Sequence, residues 1–328
     1  MAKPDLLMLE ALMPIADPQL DQLFNVHRLH QAAEPAAKEA LIARAAPAIE
    51  AICSFNPAFA PTAVPDALMA RLPRLKVIAH MGVGYDSIDA AAAARRGIVV
   101  TNTPDVLTEE VADTALGLLL MTVRELSKAE TWLRTDKWAT AEYPFAATSL
   151  RGRTVGMVGM GRIGQAITRR IEAFGLPVVY HSRKAQAGVA NRHYPDLLAM
   201  ARDVDTLLLI LPGGAATKDL IDAKVLEALG PTGVLINMAR GSVVKEADLI
   251  AALHAGKIAA AGLDVFQNEP HFDKAFLACP NTVLLPHVGS STVVTRNAMS
   301  QLTVDNLKAW LDRRPPLTPV VETPFTGW

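Results

Sequence analysis

Short apolar runs alternate with stretches of helical period along most of this chain. Residues 6–9, 26–29, 51–53, 77–79 and 98–100 read as strands, with helical patterns between most of them. A long helical stretch follows over residues 108–133. Thr108 is its candidate N-cap, and Glu109, Glu110 and Asp113 put negative charge near the positive helix end. Residues 138–150 have no clear period and read as a loop. A second series of strands then predicts itself at 154–158, 178–180, 206–211, 234–237, 260–263 and 283–285. Helical patterns separate the first five. Strands alternating with helices imply parallel pairing and an α/β fold.

The last helical pattern, 293–311, has no strand partner left in the second series. It therefore returns to pack on the first. The expected organisation is two Rossmann-like domains with parallel sheets, the second inserted into a discontinuous first. Residues 1–102 with 289–328 form the substrate-binding domain, and 103–288 the dinucleotide-binding domain.

Composition narrows the function classes. The 328 residues carry a formal net charge of −1, with 51% hydrophobic and 20% charged residues. No global field draws nucleic acid or an anionic membrane. The two cysteines, Cys53 and Cys279, lie far apart, forming neither a disulfide scaffold nor a metal-ligand pair, so no metal is expected. The most apolar stretches, 115–123 and 206–211, are too short to span a bilayer. The start, MAKPDLLMLE, does not read as a signal peptide, and a cytoplasmic protein is the expectation.

The strongest local signal is Gly159-x-Gly161-x-x-Gly164, with Met160, Arg162 and Ile163 between the glycines. It follows an apolar strand and opens a helix. Gly159 permits the tight turn, Gly161 the approach of a pyrophosphate, and Gly164 close helix–strand packing. The helix start offers N–H groups and partial positive charge to phosphates. Isolated glycine-rich turns are common, but this one has the strand–turn–helix context a dinucleotide needs. NAD binders usually carry an acid about 20 residues further on, for the ribose 2′-hydroxyl. Here the strand 178–180 is followed by His181-Ser182-Arg183-Lys184. Such a run is commonly just a solvated basic loop. At this location a hydroxyl and two cations suit a 2′-phosphate, and the expected cofactor is NADPH in preference to NADH.

Three later segments supply candidate chemistry at strand ends. Arg240 follows the strand 234–237 and could take a carboxylate and polarise the adjacent ketone. Asp264 ends the strand 260–263, with Glu269 in the loop beyond. His287 lies just past the strand 283–285. Taken singly, such an arginine is usually a surface ion pair and such an acid a solvated loop residue. A lone histidine is usually structural or exposed, and the other seven histidines, His80 among them, are read that way. Together the three segments fit ketone reduction. Hydride addition leaves an alkoxide that needs a proton, histidine is the natural donor, and a carboxylate beside it favours imidazolium.

These residues resemble the D-2-hydroxyacid dehydrogenases. Four ordered blocks carry the likeness: the turn at Gly159–Gly164, Ala-Arg-Gly at Arg240, Asp-Val-Phe-x-x-Glu-Pro at Glu269 and Pro-His-x-Gly at His287. The likeness runs from about Lys76 to Leu311, and the first 75 residues fit only in pattern. It implies Arg240 as substrate-orienting arginine, His287 as general acid/base and Glu269 as its partner. Asp264 is then the nicotinamide contact, and Leu211, Pro212, Thr217 and Gly289 join the cofactor candidates. Met81, Gly82, Val83 and Gly84 resemble the substrate loop, whose N–H groups near Val83 and Gly84 hold the carboxylate. Trp138 is either an aromatic near the substrate or a packing or interface residue. The helix after Thr108 resembles a dimerisation arm, implying a homodimer. Within the family, Ser182-Arg183-Lys184 resembles NADPH-dependent glyoxylate, hydroxypyruvate and hydroxyphenylpyruvate reductases, acting on small 2-keto acids. Glu269 separates the chain from formate dehydrogenases, which place glutamine there, and no added regulatory domain of the phosphoglycerate dehydrogenase kind is expected. Two alternatives stay open: a dinucleotide-sensing regulator on the same fold, and a family member preferring aryl or sugar-derived keto acids.

Overall fold

The computed structural model describes residues 3–55, 63–146, 148–279 and 281–327. The chain divides into two compact units, Met1–Leu107 with Ser291–Trp328, and Thr108–Ser290.

The first unit begins with β1 (Asp5–Met8), α1 (Asp17–Leu23), β2 (Asn25–Arg28), α2 (Pro35–Ala45) and β3 (Ile49–Phe55). It continues with α3 (Asp66–Ala70), β4 (Val77–Met81), α4 (Ala90–Arg95) and β5 (Val99–Thr101). All five strands are parallel, in the order β2-β1-β3-β4-β5. The central strands are buried along nearly their whole length, as strands covered on both faces must be. That requirement explains their unbroken apolar runs. Asp89 caps α4, its carboxylate accepting the Ala92 N–H at 2.8 Å.

The second unit opens with α5 (Thr108–Val123) and α6 (Leu126–Arg134). The sheet unit follows: β6 (Val155–Val158), α7 (Arg162–Ala173), β7 (Val178–His181), β8 (His193–Tyr194), α8 (Leu197–Asp203) and β9 (Thr206–Leu209). It closes with α9 (Ala223–Leu229), β10 (Val234–Asn237), α10 (Glu246–His254), β11 (Ala260–Leu263) and β12 (Thr282–Leu284). Its seven strands are parallel in the order β12-β11-β10-β9-β6-β7-β8. The order reverses between β6 and β9, which creates a crevice at their carboxyl ends where ligands of such sheets bind. The last helix, α11 (Val293–Leu311), packs on β4 in the first unit. Beyond it, the Val320 N–H donates to the Val100 carbonyl at 2.9 Å.

Three sequence expectations need correction. The stretch 108–133 is two helices, broken at Glu125, whose φ is +52°. No glycine or proline marks the break. Carbonyls freed there are taken by hydroxyls of the following segment, Thr148 on Val123 and Tyr143 on Glu125. The strand expected over 206–211 stops at Leu209, although the next N–H, of Ile210, still donates to the Val158 carbonyl at 2.9 Å. The edge strand β8 was not foreseen, since two residues carry no readable period. The segment 138–150 holds only a single helical turn at Lys137–Ala139, and Ala147 lies outside the described residues. Among the described residues, no helix is long and apolar enough to cross a membrane.

Candidate active site

The glycine motif occupies the loop between β6 and α7, and its three glycines do different work. Gly159 has φ +105°, and a Cβ there would overlap the Ile210 carbonyl at the end of β9. A Cβ on Gly164 would sit 2.5 Å from the Gly159 carbonyl oxygen, so helix and loop meet backbone to backbone. Gly161 is different: a Cβ there would meet nothing within 4 Å. Packing does not require a glycine at that position, but an approaching phosphate does. Gly161 is the N-cap of α7 and brings no capping side chain of its own. Open space and the helix dipole fit a pyrophosphate. Across the crevice, Thr217 Oγ donates to the Pro212 carbonyl at 2.8 Å and shapes the 211–217 loop.

After β7, Arg183 and Lys184 are exposed, and neither pairs with a carboxylate among the described residues. Ser182 Oγ donates to the Lys184 carbonyl at 2.7 Å, and its own carbonyl takes His193 Nε2–H at 2.9 Å. This loop is thus braced from β8 while its cations stay open to an anion.

The loops after β11 and β12 meet. Glu269 Oε2 accepts from His287 Nδ1 at 2.7 Å, and Oε1 accepts the Phe266 N–H at 2.8 Å. Both carboxylate oxygens are engaged, so the ring orientation is held from one side. The His287 side chain keeps 33% exposure, against 19% for Glu269, and its Nε2 edge is the one left for a reactant. His287 has φ +55°, uncommon for a residue with a side chain. Asp264 holds it there. The Asp264 carbonyl takes the His287 N–H at 2.8 Å, and its carboxylate takes the N–H groups of Val288 at 2.7 Å and Gly289 at 2.9 Å. Burial, the largest influence, pushes the Asp264 carboxyl above its ordinary value, against those two N–H donors and nearby His287.

Arg240 follows β10 on a turn built by Asn237. The Asn237 amide accepts from Ala239 N–H at 3.0 Å and donates to the Arg240 carbonyl at 3.1 Å. Next in sequence, Gly241 touches the loop carrying Glu269. A Cβ on it would fall inside the backbone of Phe266 and Gln267, far closer than the 3.0 Å that real Cβ atoms essentially never cross. Glu246 supports the same loop, accepting the Gln267 N–H at 2.7 Å. Gln267 in turn donates its side-chain N–H to the Val244 carbonyl at 2.9 Å. Burial raises the Glu246 carboxyl above its ordinary value, with the Gln267 N–H opposing and Asp273 and Glu269 adding to the rise. Glu246 was not singled out in the sequence, and Gly241 entered only as the last residue of the Ala-Arg-Gly block. A glycine directly after a candidate arginine was the only available hint.

The remaining expected residues are placed as follows. Met81 ends β4 with its side chain buried, and its sulfur accepts the Ser300 hydroxyl at 3.1 Å. Gly82, Val83 and Gly84 form a partly exposed loop of the first unit. Trp138 is 66% exposed and makes no hydrogen bond or ring contact with a described residue. Among the described residues, no group of three or more His, Cys, Asp or Glu could hold a metal ion.

The family model for the NAD binding domain of D-isomer specific 2-hydroxyacid dehydrogenases matches residues 116–289. The chain is 41% identical over 320 residues to 2-ketogluconate reductase of Gluconobacter oxydans, covering 98% of this chain and 99% of that one. It is 45% identical over 254 residues to a glyoxylate/hydroxypyruvate reductase of Arabidopsis thaliana, covering 77% and 81%. Among solved structures, it superposes at TM-score 0.90 and 49% identity on the NADPH-dependent glyoxylate/hydroxypyruvate reductase of Sinorhizobium meliloti, in complex with NADP and malonate. That match covers 99% of this chain and 98% of the other. A parallel sheet with a dinucleotide cradle at its switch point, together with these matches, makes the chain an NAD(P)-dependent oxidoreductase of the D-2-hydroxyacid dehydrogenase family.

Proposed function

We propose that this protein reduces a small 2-keto acid of the glyoxylate or hydroxypyruvate class to its D-2-hydroxy acid, using NADPH in preference to NADH. The observation that carries this reading is the 2.7 Å pair of His287 Nδ1 and Glu269, with the second Glu269 oxygen tied to backbone. When bound, the reduced nicotinamide supplies a hydride to the keto carbon. His287 supplies the proton. Glu269 holds its Nδ1–H, so Nε2 is the atom that gives a proton to the developing alkoxide. The Arg240 guanidinium takes the substrate carboxylate and stabilises charge growing on the ketone oxygen. Asp264 keeps the His287 backbone in its left-handed conformation, and Val83 and Gly84 N–H groups hold the carboxylate.

The preference for NADPH rests on Ser182, Arg183 and Lys184, on the missing acid after β7, and on the S. meliloti relative, which is named NADPH-dependent. The full-length likeness to a 2-ketogluconate reductase supports a second reading, a sugar-derived keto acid. We assign the exposed Leu126, Leu133 and Phe145 to subunit contact in a homodimer, because such apolar side chains on one arm are otherwise left in water.

The test is a steady-state panel of glyoxylate, hydroxypyruvate, 2-ketogluconate and aryl pyruvates with NADPH and NADH. Highest kcat/KM is expected for glyoxylate or hydroxypyruvate with NADPH. H287A should lose at least ~10²-fold in kcat while still binding the dinucleotide. R183A should weaken NADPH far more than NADH. Full turnover in H287A would overturn the assignment of the acid, and equal losses in R183A would overturn the phosphate reading.

A further inference from the structure

The Gly82–Gly84 loop is oriented by the chain behind it. Its three carbonyl oxygens are all tied back within the first unit. The Gly82 carbonyl takes the Thr103 N–H at 2.9 Å, the Val83 carbonyl takes Asn102 Nδ2–H at 2.9 Å, and the Gly84 carbonyl takes His80 Nε2–H at 3.0 Å. The N–H groups of Val83 and Gly84 donate to no described residue. A loop with every carbonyl turned inward presents its N–H groups to an anion.

Only one of the three ties comes from a titratable side chain. His80 is 2% exposed and Ser54, its register partner across β3 and β4, is 1% exposed. Ser54 Oγ lies 3.0 Å from His80 Nδ1. The Gly84 carbonyl can only accept, so Nε2 carries the hydrogen, and in the neutral ring Nδ1 then accepts from the Ser54 hydroxyl. Gly82 makes room for the ring: a Cβ there would stand 2.8 Å from Nε2. Ser54 and His80 are buried, and the bond between them leads on through Nε2 to the loop.

We propose that His80, braced by Ser54, is a positioning residue that fixes the Val83 and Gly84 N–H groups to receive the carboxylate of the 2-keto acid. This rests on the reading of that loop as the carboxylate holder. His80 does not touch the substrate. It sets substrate affinity and not the chemical step.

The test uses the full-length protein with glyoxylate as variable substrate at saturating NADPH. H80N keeps a polar group opposite Ser54 but cannot reach the Gly84 carbonyl. H80Q places an N–H at about the reach of Nε2. The expected result for H80N is a rise in glyoxylate KM of about tenfold, with kcat and the KM for NADPH changed by less than about threefold. H80Q should return the glyoxylate KM to within about threefold of wild type, at a melting temperature matching that of H80N. S54A repeats the test should H80N fail to fold, with an expected KM rise of about threefold. A glyoxylate KM unchanged in H80N and S54A, equal rises in H80N and H80Q, or a parallel rise in the KM for NADPH would overturn the proposal. Absence of wild-type turnover on every 2-keto acid would overturn the functional reading and this proposal with it. Turnover with an indifferent His80 overturns this proposal alone.

Discussion

Alanine at Gly241 is the smallest substitution that tests whether the arginine loop and the glutamate loop form one device. The added methyl would overlap the Phe266 carbonyl and the Gln267 nitrogen. These are backbone atoms, so no flexible side chain can swing away. The loops must separate by roughly 1 Å or more to reach ordinary contact, and overpacking of this kind costs typically about 1–3 kcal/mol. In a unit of this size that is a fall in melting temperature of roughly 2–4 °C per kcal/mol. The larger effect is on rate. Phe266 N–H positions Glu269 Oε1, and Glu269 Oε2 positions His287. A shift near 1 Å in a catalytic group costs on the order of 10²-fold. G241A should therefore retain dinucleotide binding, measured by NADPH fluorescence, while kcat for glyoxylate drops about 10²-fold. G117A is the control, since the same methyl would meet nothing within 4 Å in α5. It should leave stability unchanged or raise it by up to about 1 kcal/mol. A kcat for G241A within about threefold of wild type would refute the argument that this contact sets the position of Glu269.

Three further outcomes are expected. E269Q leaves an amide N–H facing either Phe266 N–H or His287 Nδ1–H, so kcat should fall by about 10²-fold, read in steady state with glyoxylate. G161V adds a side chain where the structure leaves open space. Its melting temperature should stay within about 2 °C of wild type while the dinucleotide Kd rises at least about tenfold, a split that calorimetry and titration separate. E246Q tests a buried charge. Because burial raises the Glu246 carboxyl, its contribution to stability is complete below the ordinary value near 4.5 and is lost as pH climbs through the raised one. Glutamine does not titrate. The melting temperature of E246Q minus wild type should therefore increase from pH 4 to pH 8, and a difference that falls over that range would contradict the assigned direction.

The strands and their parallel character were legible because buried strands of an α/β sheet need unbroken apolar runs. The position of Ser182, Arg183 and Lys184 just past β7 was legible because a fixed spacing from Gly159 leads to that strand end. Other features lay beyond reach. Glu125 ends α5 without a breaker residue, since the signal sits in Tyr143 and Thr148, which bond the exposed carbonyls. Gly241 looks like any loop glycine until Phe266, 25 residues on, lies against it. His80 read as an ordinary core histidine, and its own bonds do not contradict that. Only the direction of its Nε2–H toward Gly84 gives it a task. Local pattern reports periodicity and spacing, whereas these features depend on contacts that form only after the chain closes on itself.

The division of the chain has a consequence for how the protein comes to be made. Strands β1–β5 leave the ribosome first, yet the helix that packs on β4 and the Val320 bond to Val100 belong to residues after Ser291. At about 5–20 residues per second, the intervening segment takes roughly 10–40 s to synthesise. The later-made unit, Thr108–Ser290, is continuous and can fold as soon as it emerges. The earlier-made one lacks α11 throughout that time, so the face of β4 that this helix covers stays open until the end of synthesis.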